Sequence, residues 1–223
     1  MRLSPLARWF ARGAAGLLVA VLVVGPMTAG QPQPKAEGKS LSALLERWFE
    51  WAIGGDQPDH FKKVKFMPLP VGVPDDGAGT ADNPVTFVGE LDVTLKPGTS
   101  FVMPVTGWTQ EVYLDGHFDP FLDDAVFTES NVYVAIDGKA VIDSTRQDLA
   151  RFYVSPTEFD SIIYYDEPTS YGSIGTVGFQ ALGFIHGPLS VGKHTMTLHS
   201  ELIDPVLNIG FIYENTWHIT VKK

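Results

Sequence analysis

Residues 85–96, VTFVGELDVTLK, constrain the fold more than any other stretch. Val85, Phe87, Leu91, Val93 and Leu95 alternate with Thr86, Glu90, Asp92 and Thr94. Successive side chains of a strand point to opposite faces, so a period of two marks a strand with one buried face and one wet face. Such a strand needs partners, and the chain supplies them. Residues 194–202, HTMTLHSEL, put Met196, Leu198 and Leu202 on one face and Thr195, Thr197, His199 and Glu201 on the other. Residues 216–222, TWHITVK, turn Trp217, Ile219 and Val221 inward. Lys96-Pro97-Gly98-Thr99 is a predicted turn, with 100–105 as the partner strand of 85–96. Residues 131–137 and 139–142 predict a hairpin closed by Asp137-Gly138. Residues 151–154, 161–165, 179–185 and 206–213 are shorter strand segments, and 169–178 is a Gly- and Ser-rich loop. Many short strands joined by turns predict a mainly β chain, an antiparallel β-sandwich of immunoglobulin-like or jelly-roll type.

One segment has another period. In residues 41–53, LSALLERWFEWAI, the side chains of Leu41, Leu44, Leu45, Trp48 and Ala52 fall on one face of an α-helix. Ser40 or Ser42 supplies the N-cap oxygen, and Gly54-Gly55 ends the run. A helix this short does not stand alone in water. With Trp48, Phe49 and Trp51 crowded together, it is expected to pack across a sheet or an open end of the sandwich.

Residues 1–30 predict a signal peptide. Arg2, Arg8 and Arg12 precede an apolar run over 14–25, Pro26 breaks it, and Thr28 and Gly30 suit cleavage before Gln31. The run is short for a membrane span, so membrane contact is expected only through an uncleaved leader. Residues 31–40, polar and proline-rich, predict a flexible linker, and 41–223 a single domain. Secreted, periplasmic or envelope localisation follows.

Beyond the three leader arginines, 13 Lys and Arg face 26 Asp and Glu, a net charge of −13. That balance argues against nucleic acid and anionic membrane as partners. With no cysteine, disulfides and thiol chemistry are excluded. Lys62, Lys63 and Lys65 form the main local basic cluster, inside an irregular stretch over 55–83.

ERWFEWAIGG, KPGTSFVMPV, VYVAIDGKAV, PLSVGKHTMTLHSEL and TWHITVK together resemble a family of secreted bacterial β-sandwich proteins of unassigned function with a tryptophan-rich N-terminal helix. The resemblance implies export and a sandwich; it carries no catalytic residues to transfer. The chain departs from that pattern in lacking cysteine.

The candidate chemistry concentrates in 107–129, GWTQEVYLDGHFDPFLDDAVFTE, which predicts a long excursion from the sheet with a short helix near 120–126. Asp115, Asp119, Asp123 and Asp124 offer the hard oxygen ligands that calcium takes, although their spacing is not that of an EF-hand. A solvated acidic loop has the same composition. His117 beside Asp115 or Asp119 is a candidate acid–base or metal pair. His199 and His218 would meet if their strands pair. Trp108, Tyr113, Phe118, Tyr164 and Tyr165, with Phe121 and Tyr171, lie in or beside predicted loops. Such rings suit stacking on sugar faces, or they plug the ends of a sandwich. No Gly-x-Ser-x-Gly elbow is present. The expectation is a non-catalytic sandwich that binds a glycan or an envelope protein. The alternative is an extracellular hydrolase acting on a polysaccharide or another polymer through paired carboxylates.

Overall fold

The computed structural model describes residues 33–54, 57–169 and 172–223; the expected leader over 1–30 lies outside them. Strands β1 Lys35–Ala36 and β2 Lys39–Ser40 lead into helix α1, Leu41–Gly54. There follow β3 His60–Phe61, β4 Val64–Phe66, β5 Val73–Pro74, β6 Val85–Leu95 and β7 Ser100–Tyr113. After the short helix α2, Ala125–Thr128, come β8 Val132–Ile136, β9 Lys139–Asp143 and β10 Tyr153–Tyr164. The chain ends with β11 Ser173–His186, β12 Gly192–Asp204 and β13 Ile209–Val221. One sheet has the order β10-β11-β7-β4-β3 and the other β5-β6-β13-β12-β8-β9. The fold is mainly β, with these two sheets packed against each other. Phe101, Met103, Leu182 and Phe184 from the first share a buried cluster with Val134, Met196, Leu198, Trp217 and Ile219 from the second.

The alternating segments form strands as expected. Met196, Leu198, Leu202, Trp217, Ile219 and Val221 are all buried. Asp137-Gly138 closes the β8–β9 hairpin with φ angles of 51° and 73°. The pairing, however, is not purely antiparallel: β6 runs parallel to β13, and β4 parallel to β7. Nor do β6 and β7 pair. The turn at 96–99 carries the chain from one sheet to the other, so β7 lies between β11 and β4. A period of two reveals which face of a strand is buried, not which strand lies beside it.

Other expectations change for identifiable reasons. Residues 206–213 and 216–222 belong largely to one strand, β13. Residues 151–154 and 161–165 merge into β10, whose register shifts after Val154 and after Glu158 break its alternation. The Gly-rich stretch 169–178 is a strand from Ser173 onward, because its glycines serve close approach and not looseness. A Cβ on Gly175 would lie 2.6 Å from the Ile163 carbonyl oxygen, and one on Gly178 2.7 Å from that of Thr157. The linker expected over 31–40 carries the β1–β2 hairpin from residue 35, turned by Glu37 and Gly38 with φ of 50° and 80°.

Helix α1 covers the outer face of the five-stranded sheet. Leu41, Leu44, Leu45, Trp48, Phe49 and Ala52 pack with Val64, Phe66, Val102, Val154, Phe159, Phe179 and Ala181. Ser40 caps it, its Oγ accepting from Ala43 N at 3.3 Å. Two glycines let the helix approach. A Cβ on Gly183 would meet Leu45 Cδ1 at 2.6 Å, and one on Gly107 would meet Phe49 Cζ at 3.2 Å. Two indoles grip the segment that follows β4: Trp48 Nε1 donates to Met67 O and Trp217 Nε1 to Pro68 O, each at 2.8 Å. Trp48 is fully buried. Trp48→Ala removes a large core side chain and leaves the Met67 carbonyl without its donor, at an expected cost of about 3–5 kcal/mol. Chemical denaturation of parent and variant measures it; an unchanged midpoint would mean that the helix contributes nothing to the fold.

Candidate functional site

Strand β7 runs seven residues into the stretch expected to leave the sheet, as far as Tyr113. The chain then reverses at Asp115-Gly116, where Gly116 takes a φ of 85°. Tyr113 N donates to His117 O at 3.1 Å, and Asp119 N to Glu111 O at 2.9 Å. This reversal brings Asp119 back beside Glu111, a neighbour that linear spacing conceals. From the other side β11 sets Ser173 opposite Tyr113 and Thr176 opposite Glu111.

The result is a cluster of two carboxyls and two phenols at one end of the five-stranded sheet. Glu111 is buried, and Tyr165 OH donates to its Oε1 at 3.4 Å. Tyr113 OH reaches both oxygens of Asp119, at 3.3 and 3.2 Å. Thr169 and Ser173 share a hydroxyl–hydroxyl bond of 2.6 Å, and the Ser173 side chain also bonds to Glu111. Burial pushes the Glu111 carboxyl up to about 7, with the nearby Asp119 charge adding to the shift. Burial raises Asp119 as well. Tyr113 and Tyr165 are raised by burial and by the adjoining carboxylates, so both phenols keep their protons. The cluster therefore presents fixed O–H donors beside carboxyl groups, one of which is half-protonated near neutrality.

The aromatic candidates divide. Tyr113 and Tyr165 belong to the cluster. Phe118 and Tyr164 adjoin it in sequence and expose 49% and 63% of their surface. Trp108 does not offer a free face: it is buried, and its Nε1 donates to Pro120 O at 2.9 Å. Phe121 is half-buried against the inter-sheet core. Tyr171 lies outside the described residues.

The four aspartates do not converge on one point. Asp115 accepts from His117, ring Nδ1 at 2.5 Å and backbone N at 3.1 Å. Asp119 serves Tyr113. Asp123 accepts from Ala125 N at 2.8 Å, and Asp124 accepts from Tyr153 OH at 2.5 Å. Tyr153 OH in turn accepts from Gln180, whose side chain clamps the backbone of Leu122. Each acid is thus engaged locally. Among the described residues no group of three or more His, Asp or Glu is arranged to hold a metal ion. His117 stacks on the Tyr113 ring, with centroids 4.1 Å apart. His199 and His218 lie on paired strands but on different rungs, His199 opposite Glu214 and His218 opposite Thr195.

A Ser–His–Asp arrangement, invisible in the sequence, occurs at the opposite end. His194 Nδ1 lies 2.7 Å from Asp137 Oδ2, and Nε2 lies 3.4 Å from Ser190 Oγ. Nε2 makes its closer contact, 2.9 Å, with the Ser190 carbonyl. Both ring nitrogens face acceptors, and the bond to Asp137 raises the His194 pKa. Nε2 lies closer to the Ser190 carbonyl than to its hydroxyl, so the hydroxyl is not set to pass its proton to the ring; the histidine ties the β11–β12 loop to the β8–β9 turn.

The chain matches no protein-family model and no curated protein sequence.

The carboxyl cluster has a thermodynamic signature. The folded-state pKa of Glu111 lies above its unfolded value of 4.5. Its stabilising contribution is complete below pH 4.5 and is lost as pH rises through 7. The swing is about 3 kcal/mol. Denaturation midpoints of parent and Glu111→Gln across pH 4–8 are expected to diverge, with the parent losing more stability as pH rises. Parallel curves would show that Glu111 titrates as an exposed carboxyl.

Proposed function

We propose that the protein is an exported, non-catalytic β-sandwich, of immunoglobulin-like or jelly-roll type, that binds a glycan at the end that carries Glu111, Tyr113, Asp119 and Tyr165. The observation that carries this reading is the anchoring of the Tyr113 and Tyr165 hydroxyls on Asp119 and Glu111, with the exposed Phe118 and Tyr164 adjacent in sequence to Asp119 and Tyr165. A sugar presents hydroxyls at its edge and an apolar C–H face. Half-buried phenols whose hydroxyls are fixed by carboxyls can accept from the sugar hydroxyls without having to be ordered on binding, and flat rings receive the C–H face.

Calorimetric titration against soluble glucan, xylan and mannan tests this reading. Binding of at least one is expected, weakened tenfold or more by Phe118→Ala with Tyr164→Ala while the melting temperature holds. Absence of binding to all three, or an unaffected variant, would sink it. One observation favours a second reading as a hydrolase: a carboxyl with a pKa near 7 beside a second carboxyl is a general-acid arrangement. Against it, Glu111 is buried and Asp119 is occupied by Tyr113, which leaves no open nucleophile. Release of reducing ends from the same polysaccharides, abolished by Glu111→Gln, would replace the binding reading with the catalytic one.

Export rests on the order of charged, apolar and small residues over 1–30. Mass spectrometry of the protein recovered from outside the cytoplasm is expected to show an N-terminus at Gln31. A chain retaining Met1 would refute cleavage.

A further inference from the structure

The end of the molecule opposite the carboxyl–tyrosine cluster has the other sign of charge. A groove of about 540 Å³ lies between the β3–β4 turn and the β6–β7 turn, and Lys62, Lys63, Lys65 and Lys96 line it. The two turns are fastened together: β4 pairs in parallel with the start of β7, and Ser100 N donates to Lys63 O at 3.0 Å. Lys62 occupies the left-handed region, with φ of 52°, where a glycine or an asparagine would be less strained.

Charge compensation in the groove is incomplete. Among the described residues its one acid is Asp59, which accepts from Lys65, and that hydrogen bond holds the Asp59 carboxyl below its ordinary range. Lys62 Nζ donates at 3.4 Å to the Glu37 backbone carbonyl, a neutral acceptor. Lys63 and Lys96 are exposed. The positive surface continues along the outer face of the six-stranded sheet, where Thr94, Thr220 and Lys193 lie in register. Lys222 is held beside Leu95 by a backbone bond of 3.1 Å. On that same face Asp92 and Glu90 follow Thr94 towards the far end and bound the basic region. A chain of net charge −10 repels anions at long range, so a site for one must concentrate its cations, and this groove does.

We propose that the groove binds a multivalent oxyanion, with phosphate or sulfate groups lying between the ammonium groups of Lys62, Lys63 and Lys96. Lysine ammoniums act as point charges, without the planar fork that arginine offers a single carboxylate. Three of them on two turns suit a ligand with several negative groups more than one with a single charge. The site is independent of the glycan reading, since it shares no residue with the carboxyl–tyrosine end.

Calorimetric titration of the full chain with sodium tripolyphosphate, dextran sulfate and neutral dextran tests the proposal. Saturable binding of tripolyphosphate or dextran sulfate is expected, weakened by raised salt; any binding of neutral dextran, a glucan, belongs to the other end and should be insensitive to salt and to loss of the lysines. Binding of both anions points to free phosphate-type ligands, and binding of dextran sulfate alone to oxyanions borne on a polymer. Lys63→Ala with Lys96→Ala is expected to lower tripolyphosphate affinity at least tenfold, while Lys139→Ala and Arg146→Ala, singly or together, leave it unchanged. Lys63→Gln with Lys96→Gln checks that charge, not side-chain length, is responsible. Failure of both anions to bind, or equal loss in the control variants, would overturn the site.

Discussion

The docking of α1 on the five-stranded sheet is the contact on which the rest of the architecture depends. The sheet must bury its inner face against β6, β12 and β13 and its outer face against a helix that carries Trp48 and Phe49. Strands β7 and β11 therefore lose the wet face that an ordinary sandwich strand keeps, and β7 is buried at almost every position. Gly107 and Gly183 lower the surface where Phe49 and Leu45 press closest. Removing the helix would expose two central strands, not a peripheral patch. The indole bonds to the consecutive carbonyls of Met67 and Pro68 join helix and six-stranded sheet through one short segment, so both layers are fastened at a common point.

Burial on both faces also explains which parts of the fold the sequence discloses. Strands β6 and β12 and the second half of β13 keep one polar face and announce themselves by alternation. The helix does so through its apolar stripe. Strand β7 is buried on both faces and carries the polar Thr106, Thr109 and Glu111 inside its later half, so that half looks irregular, and β11 hides its start behind glycines. Two register shifts in β10 split one strand into two apparent ones. The same reasoning applies to the site. Tyr113, Asp119 and Tyr165 are visible individually as aromatic or acidic residues near a loop. Glu111 gains meaning only from the reversal at Asp115-Gly116, which pairs it with Asp119, and that Asp-Gly dipeptide was the available signal. Asp123 and Asp124 share the composition of a cation site but are spent on a helix start and on Tyr153.

Opposite ends of the molecule hold opposite chemistries. At one end, the buried Glu111 carboxyl keeps its proton to unusually high pH, and with Asp119 it orients two phenols. At the other, lysines on two joined turns are largely uncompensated. The rigid pair of sheets separates them, since β7 begins at one end and finishes at the other. One chain thus carries hydrogen-bonding groups and uncompensated cations on separate surfaces.

The parallel pairing of β6 with β13 has a kinetic consequence. Strand β13 sits inside the six-stranded sheet, between β6 and β12, yet it begins at Ile209, far along the chain from β6, which ends at Leu95. A chain that emerges N-terminus first holds β6 without its inner neighbour until all the strands from β7 to β12 have been made. Until then β6 keeps an open edge, and the core residues around Trp217 are missing. Completion of the sheet is therefore a late, long-range event, and truncation of the last strand would leave a gap in the sheet rather than a shortened edge.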